Sequence, residues 1–360
     1  KLTTMTAPDA ALDSKIGESD GAEKNKSAAE DAFLGAPRKR QNSQPRRDRR
    51  DVHGWVIFDK PVGMTSTHAV VVVKRLFNAK RVGHAGTLDP LAEGLLVVCL
   101  GHATKIARFL TGFDKVYVAT ICLGRTSATF DGEGIDAEAP AAPVPDFPRA
   151  DLESALRRFE GRVTQRVPAF SAVRVEGVPL YKKARRGEEV DPPSREVTIR
   201  EIRLLEVALP YLRIEVTCSS GTYIRTLADD FGRVLGCGAY LAHLRRTRVG
   251  DLALSGALTL DQAADAMADG YLHQHLLGYG EVLPYSALRV SEQFRPHVIE
   301  GRRPDRDDLT GLDGSFRAGD TVLLKSDDGA VLAVGRAGVD SADLARPAAR
   351  SLFDYIRVLH

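Results

Sequence analysis

The sequence predicts an α+β fold followed by a small β-rich domain. Between residues 54 and 268, short apolar runs of strand length alternate irregularly with helical patterns that carry one apolar face. From Leu283 onward the chain changes to short strands punctuated by Gly and Asp turns. With 360 residues, 43% hydrophobic and 27% charged, the chain is long and apolar enough to bury a core without disulfides.

Trp55 to Phe58 is a short apolar strand, and Thr67 to Phe77 a helix with a buried valine face. Leu95 to Leu100 reads as a second buried strand, Ala103 to Leu110 as a helix and Lys115 to Leu123 as a strand. Pro140 to Pro148, with four prolines in nine residues, is a connection. It leads into a helix over Asp151 to Phe159 capped by its own Asp. Arg174 to Arg195 is polar, broken by Gly and Pro, and too long for an ordinary turn, so it reads as a functional loop. Val197 to Val207 and Tyr211 to Cys218 form a strand pair. A helix over Tyr223 to Leu235, a strand near Tyr240 to Arg246 and a helix near Leu260 to Met267 follow. The C-terminal strands are Thr321 to Lys325, Val331 to Arg336 and Leu352 to Leu359. Residues 1–50 hold almost no large apolar side chains and read as a disordered extension with a basic end, in which Met5 is a candidate natural start.

Composition excludes several classes of function. The chain has no G-x-x-x-x-G-K-[ST], no G-x-G-x-x-G after a strand and no H-E-x-x-H, so nothing points to ATP, NAD or a catalytic metal. His273 and His275 diverge on a helix and are not a metal pair. Cys99, Cys122, Cys218 and Cys237 lack metal-ligand spacing and read as reduced core thiols. No apolar run approaches the roughly 18–20 residues of a membrane span, and the expected location is the cytoplasm. Net charge is only +2, but its distribution is uneven: Arg38 to Asp51 carries seven bases against two acids, and Arg162 to Arg200 nine against five. Arg245, Arg246 and Arg248 follow close together. Such clusters suit a partner rich in phosphates, although each alone is equally the solvated face of a folded protein.

Two segments stand out. Asp89 lies among glycines and prolines just before a buried strand, where an Asp is ordinarily a turn residue but where catalytic groups also sit when backbone must approach a substrate. Ser219 to Ala228 places Tyr223 and Arg225 at a helix start after a strand. Taken with Asp59-Lys-Pro61, Gly83-His-Ala-Gly-Thr-Leu-Asp-Pro90, Asp114-Lys-Val-Tyr117, Val167 to Val190, Gly221-Thr-Tyr-Ile-Arg-Thr226 and Tyr240-Leu-Ala-His-Leu-Arg-Arg246, they fall in the order and spacing of one family. Over roughly residues 52–270 the sequence resembles the TruB family of tRNA pseudouridine-55 synthases.

The resemblance implies a pseudouridine synthase fold with a central mixed, largely antiparallel sheet over residues 51–280, including an RNA-binding insertion at about 174–195. Residues 283–360 resemble a PUA-like RNA-binding module in position, size and the Asp327 to Gly335 hairpin. The implied activity is isomerisation of uridine 55 in the T arm of tRNA, without cofactor or metal, by a monomer that needs no obligatory protein partner and no membrane. By the same resemblance Asp89 is the catalytic aspartate, Arg225 its partner and Tyr117 the tyrosine packed on the flipped uracil. His84 fills the space vacated in the T loop, Lys60 and Pro61 match the family's first motif, and Tyr223 and Leu244 line the pocket. Phe170-Ser-Ala-Val-Arg174 departs from the usual Tyr-Ser-Ala-hydrophobic-Lys and touches only fine RNA contacts. Lys182, Lys183, Arg185 and Arg186 are expected on phosphates. Two other readings are an RNA chaperone with a vestigial site and the synthase-like component of a guide-RNA particle.

Overall fold

Trp55, Val56, Ile57 and Phe58 are all buried, because the strand they open, β1 (Gly54–Lys60), is covered on both faces and can carry a continuous apolar run. The computed structural model describes residues 48–136, 138, 140–188, 191–344 and 351–359. Of the extension expected over residues 1–50, all but the last three residues lie outside the described residues, and with them most of its basic cluster.

In chain order β1 is followed by α1 (Ser66–Leu76), β2 (Val82–Ala85), β3 (Ala92–Leu100), α2 (Ala103–Thr111), β4 (Lys115–Leu123), α3 (Arg149–Arg157) and β5 (Gly161–Arg166). Next come the short hairpin β6 (Arg174–Val175) and β7 (Val178–Pro179), α4 (Leu180–Arg185), β8 (Ser194–Ala208), β9 (Tyr211–Cys218), α5 (Ile224–Leu235), β10 (Ala239–Val249), β11 (Leu252–Ala253) and α6 (Leu260–Ala268). The last part holds α7 (Tyr279–Val282), β12 (Ala287–Val290), α8 (Arg295–Ile299), β13 (Leu309–Asp313), β14 (Thr321–Ser326), β15 (Val331–Ala337) and β16 (Phe353–Val358).

The main sheet has the order β1-β3-β10-β4-β9-β8-β5, with β2 added on β3 and β11 on β10. It is mixed and largely antiparallel, as the resemblance implies: among the described residues its one parallel strand pairing is β3 with β10. That pairing sets Ala92, Glu93 and Gly94 beside Leu244, Arg245 and Arg246, and β10 in turn sets Arg246 beside Tyr117 on β4. The backbones come so close that a Cβ on Gly94 would lie 2.3 Å from the carbonyl oxygen of Arg246, and its φ of +100° is one that side chains avoid. The second sheet has the order β13-β12-β14-β15-β16.

A core of Trp55, Leu95, Val97, Cys99 and Ile106 continues without a break into Val282, Leu283, Leu323 and Val334, so the two sheets share apolar packing. A second core of Leu288, Phe294, Val322, Leu324 and Phe353 closes the other face of the C-terminal sheet. All four cysteines are buried and unbonded.

Several local expectations change. The long loop over 174–195 contains the β6–β7 hairpin, turned by Glu176 and Gly177 at positive φ, and α4. Two-residue strands and a six-residue helix are too short for periodicity to reveal. α3 is not capped by Asp151, which sits in its first turn. Its cap is Pro148, whose φ is already set for helix entry. The polar sequence of β5 hides a strand, because at a sheet edge one side needs no apolar cover.

Candidate active site

β3, β4 and β10 form the floor of a cavity of about 200 Å³, walled by Leu88, Asp89, Tyr117, Tyr223, Leu244 and Arg246. Asp89 comes from the loop between β2 and β3, whose shape is held from below. Ser66 accepts the Leu88 amide N–H at 2.9 Å and donates its hydroxyl to the Leu88 carbonyl at 2.8 Å. Arg246 is fully buried and donates Nε to the Leu95 carbonyl at 2.8 Å and Nη2 to the Gly86 carbonyl at 2.9 Å. Its Nη1 lies 3.4 Å from the Thr87 carbonyl. A buried guanidinium thus spans the loop that carries Asp89, compensated by carbonyl dipoles.

Arg225, one residue into α5, is brought over the same loop by the turn that follows β9. Its Nη2 pairs with Asp89 Oδ2 at 2.9 Å and also donates to the Phe170 carbonyl at 3.1 Å. Nη1 lies 3.3 Å from Asp131 Oδ2 and donates to the Thr129 carbonyl at 3.1 Å. The Arg225 side chain is 5% exposed and that of Asp89 40%, so the cation is fixed and the carboxylate faces the opening. The pair is a partition: on its far side lies a second cavity of about 320 Å³, reached by His84, Asp131, Phe170, Tyr181 and Arg185.

Burial dominates the electrostatics. It pushes the Tyr117 phenol above its usual value, with Arg246 pulling the other way. It lowers the His84 imidazole, helped by Arg246, so the ring is neutral at pH 7. Lys60 and Lys115 are each brought down to about 8, again by burial first.

The structure therefore brings Asp89, Tyr117, Arg225, Tyr223 and Leu244 together around one cavity, and places His84 at the neighbouring one. Tyr223 is fixed through its backbone, its N–H donating to Gln165 Oε1 at 2.9 Å, with Arg195 over its ring. Lys60 does not face the cavity. It is fully buried, and its Nζ donates to the carbonyls of Pro61 and Met64, closing the turn after β1. Pro61 belongs to that turn. Of the four basic residues on and after α4, Lys183 pairs with Glu176 at 2.9 Å and Arg186 with Glu188 at 3.5 Å. Lys182 is exposed, and Arg185 lies over the Tyr181 ring and lines the second cavity.

The cluster at Arg245 and Arg246 is also not a free basic surface. Arg245 pairs with Asp59 at 2.7 Å and Glu93 at 2.5 Å, and Arg246 is under the loop. Sequence reasoning misses Asp131, because an Asp between Phe130 and Gly132 looks like a turn residue. It does cap a short turn, accepting from Glu133 N–H at 3.1 Å, while its other oxygen meets Arg225. Lys115, whose Nζ is tied to the Thr111 and Phe113 carbonyls, also borders the first cavity. Among the described residues no group of three or more His, Cys, Asp or Glu could hold a metal ion, and no helix is long and apolar enough to cross a membrane.

A sheet of this topology, carrying an Asp–Arg pair above an aromatic-floored cavity and followed by a second β module, defines a pseudouridine synthase with a PUA domain. Residues 74–224 match the TruB family pseudouridylate synthase (N terminal domain), 225–283 the tRNA pseudouridylate synthase B C-terminal domain and 308–359 the PUA domain. The chain belongs to the TruB family. Curated relatives include tRNA pseudouridine synthase B of Nitrobacter winogradskyi, 48% identical over 71% of this chain and 72% of the relative. That of Cupriavidus metallidurans is 43% identical over 81% and 93%. Among solved structures, a Cbf5-Nop10-Gar1 complex has a chain with a TM-score of 0.66 and 25% identity, covering 85% of this chain and 84% of that one. An H/ACA ribonucleoprotein bound to a substrate RNA shares the fold with a TM-score of 0.67 at 24% identity, over the same shares of the two chains.

Proposed function

We infer that this chain isomerises uridine 55 in the T arm of tRNA to pseudouridine, with Asp89 as the catalytic residue. The reading rests on the Asp89–Arg225 pair at 2.9 Å, set at the mouth of a cavity with room for one base and floored by Tyr117. The reaction breaks the N1–C1′ bond, turns the uracil and rejoins it through C5. It has no net redox change and needs no cofactor. A carboxylate can attack C1′, add to C6 or take a proton from the ribose, and each route needs an ionised Asp. Arg225 holds Asp89 in place through a charge-assisted hydrogen bond.

A stacked uridine must be extruded first, at a few kcal/mol. Tyr117 beneath the ring and Leu244 beside it restore about 1–3 kcal/mol by stacking and apolar contact. Their apolar walls also confine the detached uracil while it turns. His84, neutral and at the second cavity, is placed to fill the gap in the loop. Of the four basic residues on and after α4, Lys182 and Arg185 are free to meet phosphates directly, and Lys183 and Arg186 must first leave their carboxylates. Residues 51–280 make up the catalytic domain and 283–360 the RNA-binding PUA module, in a cytoplasmic protein that acts as a monomer.

The test is Asp89→Asn, which keeps size and polarity. Purified chain alone should convert an unmodified T-arm hairpin, and the variant should bind it within a few-fold yet fail to turn over. Single-turnover rates within tenfold of wild type would refute the assignment. Failure of the unaltered chain without partners would favour the guide-RNA particle.

A further inference from the structure

Gln165 is the one buried side chain of β5, 3% exposed on a strand whose other residues are open or half-open to solvent. An edge strand with no apolar face has no packing reason to bury an amide, and a buried amide is costly unless its donors and acceptors are met. Here they are met by a single residue 58 positions further along the chain. Oε1 accepts the Tyr223 N–H at 2.9 Å, and Nε2 donates to the Tyr223 carbonyl at 3.2 Å. An N–H and a carbonyl facing the same amide also fix which end of it is oxygen, because the opposite orientation satisfies neither.

Tyr223 is where α5 begins. It holds the N-cap position in extended conformation, and its side chain makes no capping bond. A phenol does not accept the amides of the first turn as Ser, Thr or Asp would, and in a capping box the bond to the N-cap N–H comes from a Glu or Gln three residues on. The residue there is Thr226, whose hydroxyl donates instead to the Arg166 carbonyl at 3.3 Å. Gln165 supplies the missing bond from the neighbouring strand. Its Nε2 shares the Tyr223 carbonyl with the Leu227 N–H, which closes the first helical turn at 3.1 Å. Two consecutive residues of β5 thus do for α5 what a capping box does for an ordinary helix.

The same turn carries the side chains of the site. Tyr223 borders the first cavity, and Arg225, two residues on, holds Asp89 at 2.9 Å and meets Asp131 at 3.3 Å. Gln165 itself borders neither cavity, so any effect it has on the reaction passes through the turn it grips. A first turn that shifts or rotates takes the Arg225 guanidinium with it.

We propose that Gln165 is a positioning residue for the isomerisation: by gripping the backbone of Tyr223 it sets the first turn of α5, and with it the seat of Arg225 against Asp89. This rests on the reading of Asp89 as the catalytic residue. Displacement of a reacting group by about 1 Å from a distance can cost about 10²-fold in rate, so two bonds at a helix start are enough to matter.

The experiment compares wild type, Gln165→Met, Gln165→Glu, Arg225→Lys and Gln165→Met/Arg225→Lys on an unmodified T-arm hairpin. It reads the single-turnover rate at saturating RNA, the RNA affinity and hydrogen exchange at the Tyr223 amide. Met keeps the length of the side chain and loses both bonds, whereas Glu keeps the acceptor for the N–H and turns a carboxylate oxygen on the Tyr223 carbonyl. Gln165→Met should lower the rate about tenfold or more with Kd within about threefold of wild type, and Gln165→Glu should lower it about threefold or more. In the Arg225→Lys background, Gln165→Met should cost no more than about threefold further, because the seat it sets is already lost. The Tyr223 amide should exchange about tenfold faster in Gln165→Met, with the amides of β4 and β9 unchanged. A wild-type rate in Gln165→Met would overturn the proposal. So would losses that multiply in the double variant, or a loss of affinity as large as the loss of rate, because either would make Gln165 a support of the fold alone. If Gln165→Met does not fold, Gln165→Glu takes its place in the cycle and the same outcomes decide. If wild type leaves the hairpin unconverted, the functional reading itself fails and the proposal with it, whatever the exchange at Tyr223.

Discussion

Asp131 Oδ2 lies 3.3 Å from Nη1 of Arg225, while the other terminal nitrogen of the same guanidinium holds Asp89 at 2.9 Å. The buried acid, 4% exposed, supplies the counter-charge that makes burial of Arg225 tolerable and fixes the direction of its fork. Asp131→Asn keeps the shape and the bonds from Thr129 and Glu133 but removes that charge. Turnover should fall by an order of magnitude or more with RNA affinity nearly unchanged. Asp131→Ala should also cost about 3–5 kcal/mol of stability, read from denaturant unfolding. Full activity of Asp131→Asn at saturating RNA would show that Arg225 needs no second carboxylate.

Arg246 carries a different load. It hydrogen-bonds the carbonyls of Gly86, Thr87 and Leu95, and so acts on Asp89 through the loop backbone. Arg246→Ala empties a buried charged site and should destabilise the protein by roughly 3 kcal/mol or more. Arg246→Lys keeps the charge but cannot span Gly86 and Leu95 together. The Lys variant should fold, bind RNA normally and turn over at least tenfold more slowly, a split that a purely structural arginine would not produce. A wild-type rate in that variant would remove Arg246 from the positioning of Asp89.

Much of this is legible in the sequence, for identifiable reasons. Strands buried on both faces, such as Trp55 to Phe58 and Leu95 to Leu100, announce themselves as apolar runs, and Asp89, Tyr117 and Arg225 sit in motifs whose order is family-specific. What stays hidden depends on long-range pairing. The parallel pairing of β3 with β10 in the main sheet puts Arg246 under residues 86–95, and nothing local distinguishes it from the exposed basic residue it resembles. Lys60 looks like a substrate-binding residue for the same reason: a lysine beside a proline gives no sign that its amine turns inward to two carbonyls.

The basic stretch around α4 should contribute unequally to RNA binding. Lys183 and Arg186 are neutralised by Glu176 and Glu188, whereas Lys182 and Arg185 pair with no carboxylate among the described residues. Lys182→Ala/Arg185→Ala should flatten the salt dependence of hairpin binding by about two, one for each phosphate no longer neutralised, and Lys183→Ala/Arg186→Ala by clearly less. Chemistry on saturating RNA should survive in both. Equal slopes in the two double variants would mean that the carboxylates leave when RNA arrives.

Lys60 offers a test through pH. Burial lowers its ammonium to about 8 against the attraction of Asp89 and Glu93, from an unfolded value near 10.5. Below about 8 both states hold the proton, and the folded state bears the cost of a buried charge. Between about 8 and 10.5 the unfolded chain binds more protons than the folded one, so the Lys60 contribution to stability rises with pH. Cys99 and Tyr279, pushed up to about 12 by burial, act in the opposite direction, so total stability alone would mask the effect. Comparison with Lys60→Met isolates it. The stability of wild type minus that of the variant should increase by up to about 3 kcal/mol from pH 7 to pH 10.5, measured by urea unfolding at each pH. A difference independent of pH over that range would mean that Lys60 keeps an ordinary amine and that the turn it closes is open to water.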